Sequence, residues 1–169
     1  MKIFNKLNSF QGGVHPEEYK NLTENLPFEQ MPNPKQIILP LSQNIGKPAK
    51  ALVTKKDEVK AGQLIAEAEG YVSAPIHSSV SGKVKVIEDE PNVSGFPKES
   101  IVIDAVEENE FEKFPVLDPK TITPEEIRER VKAAGIVGQG GAAFPTFVKL
   151  TPPQDKKIDT QPDGTELHS

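Results

Sequence analysis

Apolar positions in this chain come in short bursts that recur at intervals of about ten residues between positions 37 and 106. Ile37-Ile38-Leu39, Ala51-Leu52-Val53, Leu64-Ile65-Ala66, Val72-Ser73, Lys83 to Ile87 and Ile101 to Val106 are the strand candidates. Lys83-Val84-Lys85-Val86 alternates polar and apolar, which turns one face to a core and the other to water. Glycines and prolines punctuate the bursts, and Lys55 to Gln63 reads as a turn feeding Leu64. Strands this short and this regularly spaced predict a small all-β barrel or sandwich with its own core.

The period changes after residue 122. Thr123 is an N-cap, Pro124 fits the first helical position, and Glu126 completes a capping box. Ile127, Val131 and Ala134 recur at helical spacing, and Gly135 ends the run, so a helix is predicted over 123–134. Residues 107–121 are acidic, contain Pro115 and Pro119, and read as a linker. Residues 1–36 are polar and irregular. Gln11 to Pro16 reads as an ordered turn, and the remainder as an arm over a neighbouring surface or as a loose leader. Beyond Lys149, Thr151 to Lys157 reads as a surface loop, and residues 161–169 as a disordered polar tail. The expected organisation is an arm (1–36), a β domain (37–106), an acidic linker (107–121), the start of a second domain (122–160) and a tail.

Composition narrows the function classes. Hydrophobic residues make up only 36%, while 16 prolines and 12 glycines favour short strands and ordered loops over long helices. No apolar run approaches the roughly eighteen residues of a membrane span. Met1 to Gln11 lacks the apolar centre of a signal peptide, so the expected compartment is the cytoplasm. The net charge of −5 argues against a nucleic-acid surface. Its acidity gathers at Glu88-Asp89-Glu90 and over 107–112, which read as solvated loop faces. With no cysteine, the 169 residues supply no thiolate for an iron–sulfur cluster or a zinc site.

The chemistry-bearing stretch is Gly138-Gln-Gly-Gly-Ala-Ala-Phe-Pro-Thr-Phe-Val-Lys149. Gly138, Gly140 and Gly141 let a ligand lie against bare backbone, and Lys149 supplies a cation. The spacing formally matches a dinucleotide fingerprint, but a helix precedes it where that motif needs a strand. No Walker lysine follows either. What remains is a glycine-rich connector between two helical segments whose amides suit an anion. Phe144 either packs on a ring or fills the core. His15 and His77 sit beside prolines in turns and read as structural, so no catalytic residue and no metal ligand is assigned.

Gly138 to Thr146 resembles the flavin loop of the complex I 51-kDa family, whose usual form is Gly-x-Gly-Gly-Ala-Gly-Phe-Pro-Thr. Phe10 to Pro16, Leu39 to Ala49 and Val72 to His77 are similar to the C subunit of the Rnf electron-transport complexes. The likeness runs from about residue 9 to 160. It implies a membrane-associated ferredoxin/NAD oxidoreductase complex, peripheral on the inner face of the cell membrane. It also implies FMN and NADH sites, 4Fe–4S clusters in the full-length subunit, and other subunits of the complex as partners. Carried onto this chain, Gly138, Gly140, Gly141 and Ala142 supply backbone contacts to FMN. Phe144, Pro145 and Thr146 shape the pocket, and Lys149 meets the phosphate. Ala143 stands where many members have glycine. The likeness ends near Thr160, so the chain is expected to be an N-terminal fragment, inactive alone and weak or empty in FMN.

Asp57 to Ala66, Ala74-Pro75 and Val80 to Val84 resemble the biotinyl/lipoyl barrel-sandwich fold. The fold class expected is mainly β with some α: a barrel-sandwich hybrid followed by the start of an α/β flavin-binding domain. In carriers a lysine sits on the hairpin that here reads Glu67 to Ser73. That hairpin holds no lysine, so neither biotin nor lipoate is expected. A non-enzymatic docking module with a carrier-like fold is the competing reading.

Overall fold

The structure, a computed structural model, describes residues 17–151. The turn expected at Gln11–Pro16, with its His15, and the whole stretch 152–169 lie outside the described residues. Contacts divide the chain between Pro32 and Asn33. Within the first unit, residues 17–32 are exposed and contain one 3-10 turn, Lys20–Leu22, closed by Thr23 N donating to Lys20 O at 3.0 Å.

From Asn33 onward the order is β1 (Gln36–Pro40), β2 (Lys50–Ala51), β3 (Glu58–Val59), β4 (Leu64–Glu67), β5 (Ile76–His77), β6 (Gly82–Glu90), β7 (Lys98–Ala105), α1 (Pro124–Ala133) and α2 (Thr146–Lys149). One sheet runs β1-β7-β6-β3 and the other β2-β4-β5. Every strand pairing is antiparallel. The fold is mainly β, and no helix falls between 50 and 90. Ile65 on β4 shares one core with Ile101 and Ile103 on β7, all three at 0% exposure. Each such side chain, fully buried, contributes roughly 1.5–3 kcal/mol relative to exposure. β7 lies between β1 and β6, and Ser100 to Ile103 along it is buried without a break rather than alternating.

The strand expectations differ from the structure in four places, the first being that β2 ends at Ala51 and leaves Leu52-Val53 outside it. Val72-Ser73 is not a strand, because the buried Ser73 Oγ accepts from Glu69 N at 3.1 Å and folds the chain into a turn. The strand comes later, at β5. The 55–63 turn contains β3, whose two residues pair with Lys83 and Gly82. Along β6 the alternation slips at a bulge between Val84 and Val86, leaving Lys85 as the extra residue.

The acidic stretch after β7 is laid along the barrel by backbone bonds. Ala61 N donates to Glu110 O (3.0 Å) and Glu112 N donates to Ala61 O (2.7 Å), giving a parallel bridge between Ala61 and Phe111. Ser81 Oγ accepts from Glu110 N and donates to Glu110 O, both at 2.8 Å. Lys60 Nζ meets Glu110 Oε1 at 2.7 Å, and that hydrogen bond raises the lysine's pKa.

Thr123 and Glu126 form the capping box of α1: Glu126 N donates to Thr123 Oγ1 (3.2 Å) and Thr123 N donates to Glu126 Oε2 (2.8 Å). The apolar face of the helix is only partly covered: Ile127 is 43% exposed, Val131 and Ala134 are half-buried, and no helix residue is fully buried.

Candidate functional site

Gly135, at φ +66°, ends α1 against the Pro75 carbonyl so closely that a Cβ there would collide with it. The helix therefore leaves the barrel surface at a fixed angle, and the chain enters the glycine loop. That loop is closed by Gly138 N donating to Phe144 O (2.9 Å), by Thr146 N donating to Ile136 O (2.9 Å), and by a bridge between Val137 and Pro145. At its tip Ala143 N donates to Gly140 O at 3.0 Å.

The predicted site residues divide by position. Gly140, Gly141 and Ala142 are exposed at the tip, and a Cβ built on Gly140 or Gly141 would meet nothing within 4 Å. Among the described residues, no backbone acceptor takes their amide hydrogens. Gly138 sits at the base, where its amide is engaged in closing the loop. A Cβ on it would come 2.8 Å from Lys149 Nζ, so the missing side chain lets the lysine fold over the loop. Lys149 Nζ also lies 5.9 Å from the Phe144 ring centroid. Phe144 and Thr146 are half-buried and Pro145 is fully buried, forming the floor. Ala143 takes a left-handed backbone, φ +44°, which is unfavourable by roughly 1–2 kcal/mol for a residue with a Cβ. Glycine at this position would carry no such penalty.

Two groups near the loop were not among the sequence candidates. Ser42, Gln43, Asn44 and Ile45 face Gly141, Ala142 and Ala143 across a cleft of about 360 Å³. Ile45 N donates to Ala142 O at 2.9 Å and ties the two walls together. The second group is Tyr71, at the tip of the 67–73 hairpin, whose ring meets Phe147 of α2 edge-on at 6.0 Å. Ser42 to Gly46 carries the signature of an ordered loop, polar residues ended by a glycine, but nothing in the sequence says which surface it faces.

The hairpin that carriers use for attachment is thus held down here. Lys47 and Lys50 pair with Glu69 and Glu67 at 3.0 and 3.6 Å, exposed contacts worth little singly. His77, on β5, lies half-buried beside Phe114, ring centroids 5.9 Å apart. Burial lowers its pKa, and Glu112 opposes that shift. His77 lines a separate cavity of about 430 Å³ with Leu64, Pro75 and Phe114, away from the glycine loop. Among the described residues no His, Cys, Asp and Glu cluster could hold a metal ion, and no helix is long and apolar enough to cross a membrane.

A barrel built from two sheets of short strands is also what comparison with known families finds. Residues 8–108 match the RnfC barrel sandwich hybrid domain. The chain belongs to that family. Over 156 residues it is 47% identical to the C subunit of the proton-translocating ferredoxin:NAD(+) oxidoreductase complex of Clostridium ljungdahlii, covering 90% of this chain and 34% of the relative. It is 40% identical over 162 residues to the C subunit of the Na(+)-translocating complex of Acetobacterium woodii, covering 91% and 35%. It is 46% identical over 153 residues to the C subunit of the ion-translocating oxidoreductase complex of Rhodobacter capsulatus, covering 88% and 30%. The chain spans about a third of the length of these relatives.

Proposed function

We propose that this chain is the part of an Rnf-type electron-transport protein that carries the FMN loop, with the barrel-sandwich domain acting as its rigid mount. The complex is a membrane-associated ferredoxin/NAD oxidoreductase that translocates ions, with this protein on the cytoplasmic face of the membrane and the other subunits as partners. The single observation that carries this reading is the tip of the loop. Gly140 and Gly141 have open space where side chains would be, their amides and that of Ala142 are unclaimed by backbone acceptors among the described residues, and Ala142 is tied to the barrel.

The residues fit the group. Bare backbone admits a flat ring at van der Waals distance, and successive amides with Lys149 suit a phosphate. Bound FMN supplies hydride and single-electron chemistry. This chain's residues orient it: Gly140, Gly141 and Ala142 by backbone contact, Phe144, Pro145 and Thr146 as the floor, and Lys149 by charge. Gly138 closes the loop beneath them. Residues 122–160 are then the beginning of an α/β flavin-binding domain, with 107–121 as its acidic connection to the barrel. NADH binding and the 4Fe–4S clusters belong to the longer protein.

The 169-residue chain alone should hold FMN only weakly. Net hydrogen bonds contribute about 0.5–1.5 kcal/mol each, somewhat more to a charged phosphate. Fixing a ligand costs roughly 4–15 kcal/mol. In a titration followed by flavin fluorescence, this chain should bind more weakly than micromolar. In a full-length relative carrying this sequence, Gly140→Val should abolish flavin retention by filling the open space. A flavin-replete Gly140→Val full-length protein would overturn the assignment, and micromolar binding by the 169-residue chain would overturn the expectation that it holds FMN only weakly. The lysine-free, clamped hairpin favours a second reading, a docking module without a cofactor, which predicts no flavin effect of Gly140→Val at all.

A further inference from the structure

The loop from Ser42 to Ile45 faces the glycine loop without belonging to it, and its chemistry differs from that of the opposite wall. Ser42, Gln43 and Asn44 carry polar, uncharged side chains, whereas the opposite wall, Gly141 to Ala143, offers backbone, with Lys149 farther off beside Phe144. We propose that Gln43 and Asn44 form the second wall of the ligand site and hydrogen-bond the imide edge of the flat heterocycle lying over Gly140 and Gly141. This rests on the flavin reading of the glycine loop and deepens it.

Three observations support the assignment. The cleft of about 360 Å³ has the size of a small-ligand site and is lined by both loops. Its width is fixed: Ile45 N bonds Ala142 O, Ala49 N bonds Leu41 O at 2.8 Å, and the buried Leu41 anchors the base. Gly46, at φ +107°, presses on the Val72 carbonyl, and Lys47 N donates to Val72 O at 3.0 Å. A wall already held this way needs little ordering when a ligand arrives. The third observation is chemical. A carboxamide presents an acceptor beside a donor, the complement of an imide N–H flanked by carbonyls, whereas a phosphate calls for cations or N–H donors alone. Asn44 Nδ2 donates to Ile45 O at 2.8 Å, which orients its amide plane and leaves Oδ1 for a ligand.

Amide NMR spectra of the 169-residue chain test this, with millimolar FMN, lumiflavin, N3-methylated lumiflavin and inorganic phosphate as probes. FMN and lumiflavin should shift the backbone amides of 139–142 together with the side-chain amides of Gln43 and Asn44. Phosphate should shift only the glycine side. The double variant Gln43→Ala, Asn44→Ala should weaken FMN and lumiflavin alike by about three- to tenfold, roughly one or two hydrogen bonds. It should weaken the binding of N3-methylated lumiflavin less, because methylation has already removed the N–H that a carboxamide oxygen accepts. Flavin shifts confined to the glycine loop, or a loss that follows the phosphate, would overturn the second wall while leaving the flavin reading intact. Flavin shifts absent from 139–142 would overturn both.

Discussion

The barrel and the helix–loop–helix beside it obey different rules. In the barrel, Ile65, Ile101 and Ile103 are fully buried, and the longest strands, β6 and β7, run over nine and eight residues. In the segment from Pro124 to Lys149, neither helix buries a residue. Its geometry is set at three points on the barrel: Gly135 on Pro75, Phe147 against Tyr71, and Ala142 on Ile45. A core gives stability through area removed from water. A few close backbone approaches give position at little gain in stability. Segments with few buried contacts lie at the weakly stabilised end of a structure, and this loop takes its position from a neighbour instead.

The contrast breaks most visibly in the core. Ile103→Ala should lower unfolding free energy by about 2–5 kcal/mol, whereas Val131→Ala, at a half-buried position on α1, should stay within about 1 kcal/mol. Urea denaturation of the two variants measures the gap, and equal losses would mean that the helix shares the core.

Gly46→Val targets position rather than area. A side chain at φ +107°, pressed on the Val72 carbonyl, should cost about 1–3 kcal/mol in local strain. It should also displace the Ala142 contact, visible as shifted amide resonances over 139–143 with the barrel core resonances unchanged.

The smallest effect sharpens the comparison through pH. The Thr123 backbone amide, then its hydroxyl, holds the Glu126 carboxyl below its ordinary value of 4.5. A depressed carboxylate stabilises in full above its unfolded pKa, and the contribution disappears as pH falls through the folded value. The first turn of α1 should therefore fray below about pH 4.5 while the barrel strands stay paired. Glu126→Gln should remove that pH dependence. Hydrogen exchange at Thr123 and Glu126 against Ile103 follows both.

The parts legible in the sequence are those with a local signature. The capping box of α1 needs only Thr123, Pro124 and Glu126, and the exposed glycines need only their spacing. The strands around Ile37, Leu64 and Ile101 show themselves as apolar bursts. What escaped depends on partners distant in sequence. β3 is two residues long and is defined only by Lys83 and Gly82. The strap at Glu110 is held by Ser81 and by backbone groups of Ala61, which leave no apolar pattern. Tyr71 and Phe147 are ordinary aromatics until the fold brings them edge to face. Ser42 to Asn44 reads as a polar loop because its role depends on the loop it faces. Ala143 is the instructive case: its departure from glycine is visible in the string, but the left-handed backbone that gives the departure a cost belongs to three dimensions.

The clamped hairpin has a kinematic consequence. A carrier domain works as a crane: its hairpin tip is the free end, and the cargo travels. Here the same tip rests against Phe147, while the loop beside it hangs from Ile45 and Pro75. What is a swinging end in a carrier is a fixed bearing in this chain. On the flavin reading proposed above, cargo at the glycine loop would stay where the barrel puts it, and any exchange with it would require the other party to come within reach.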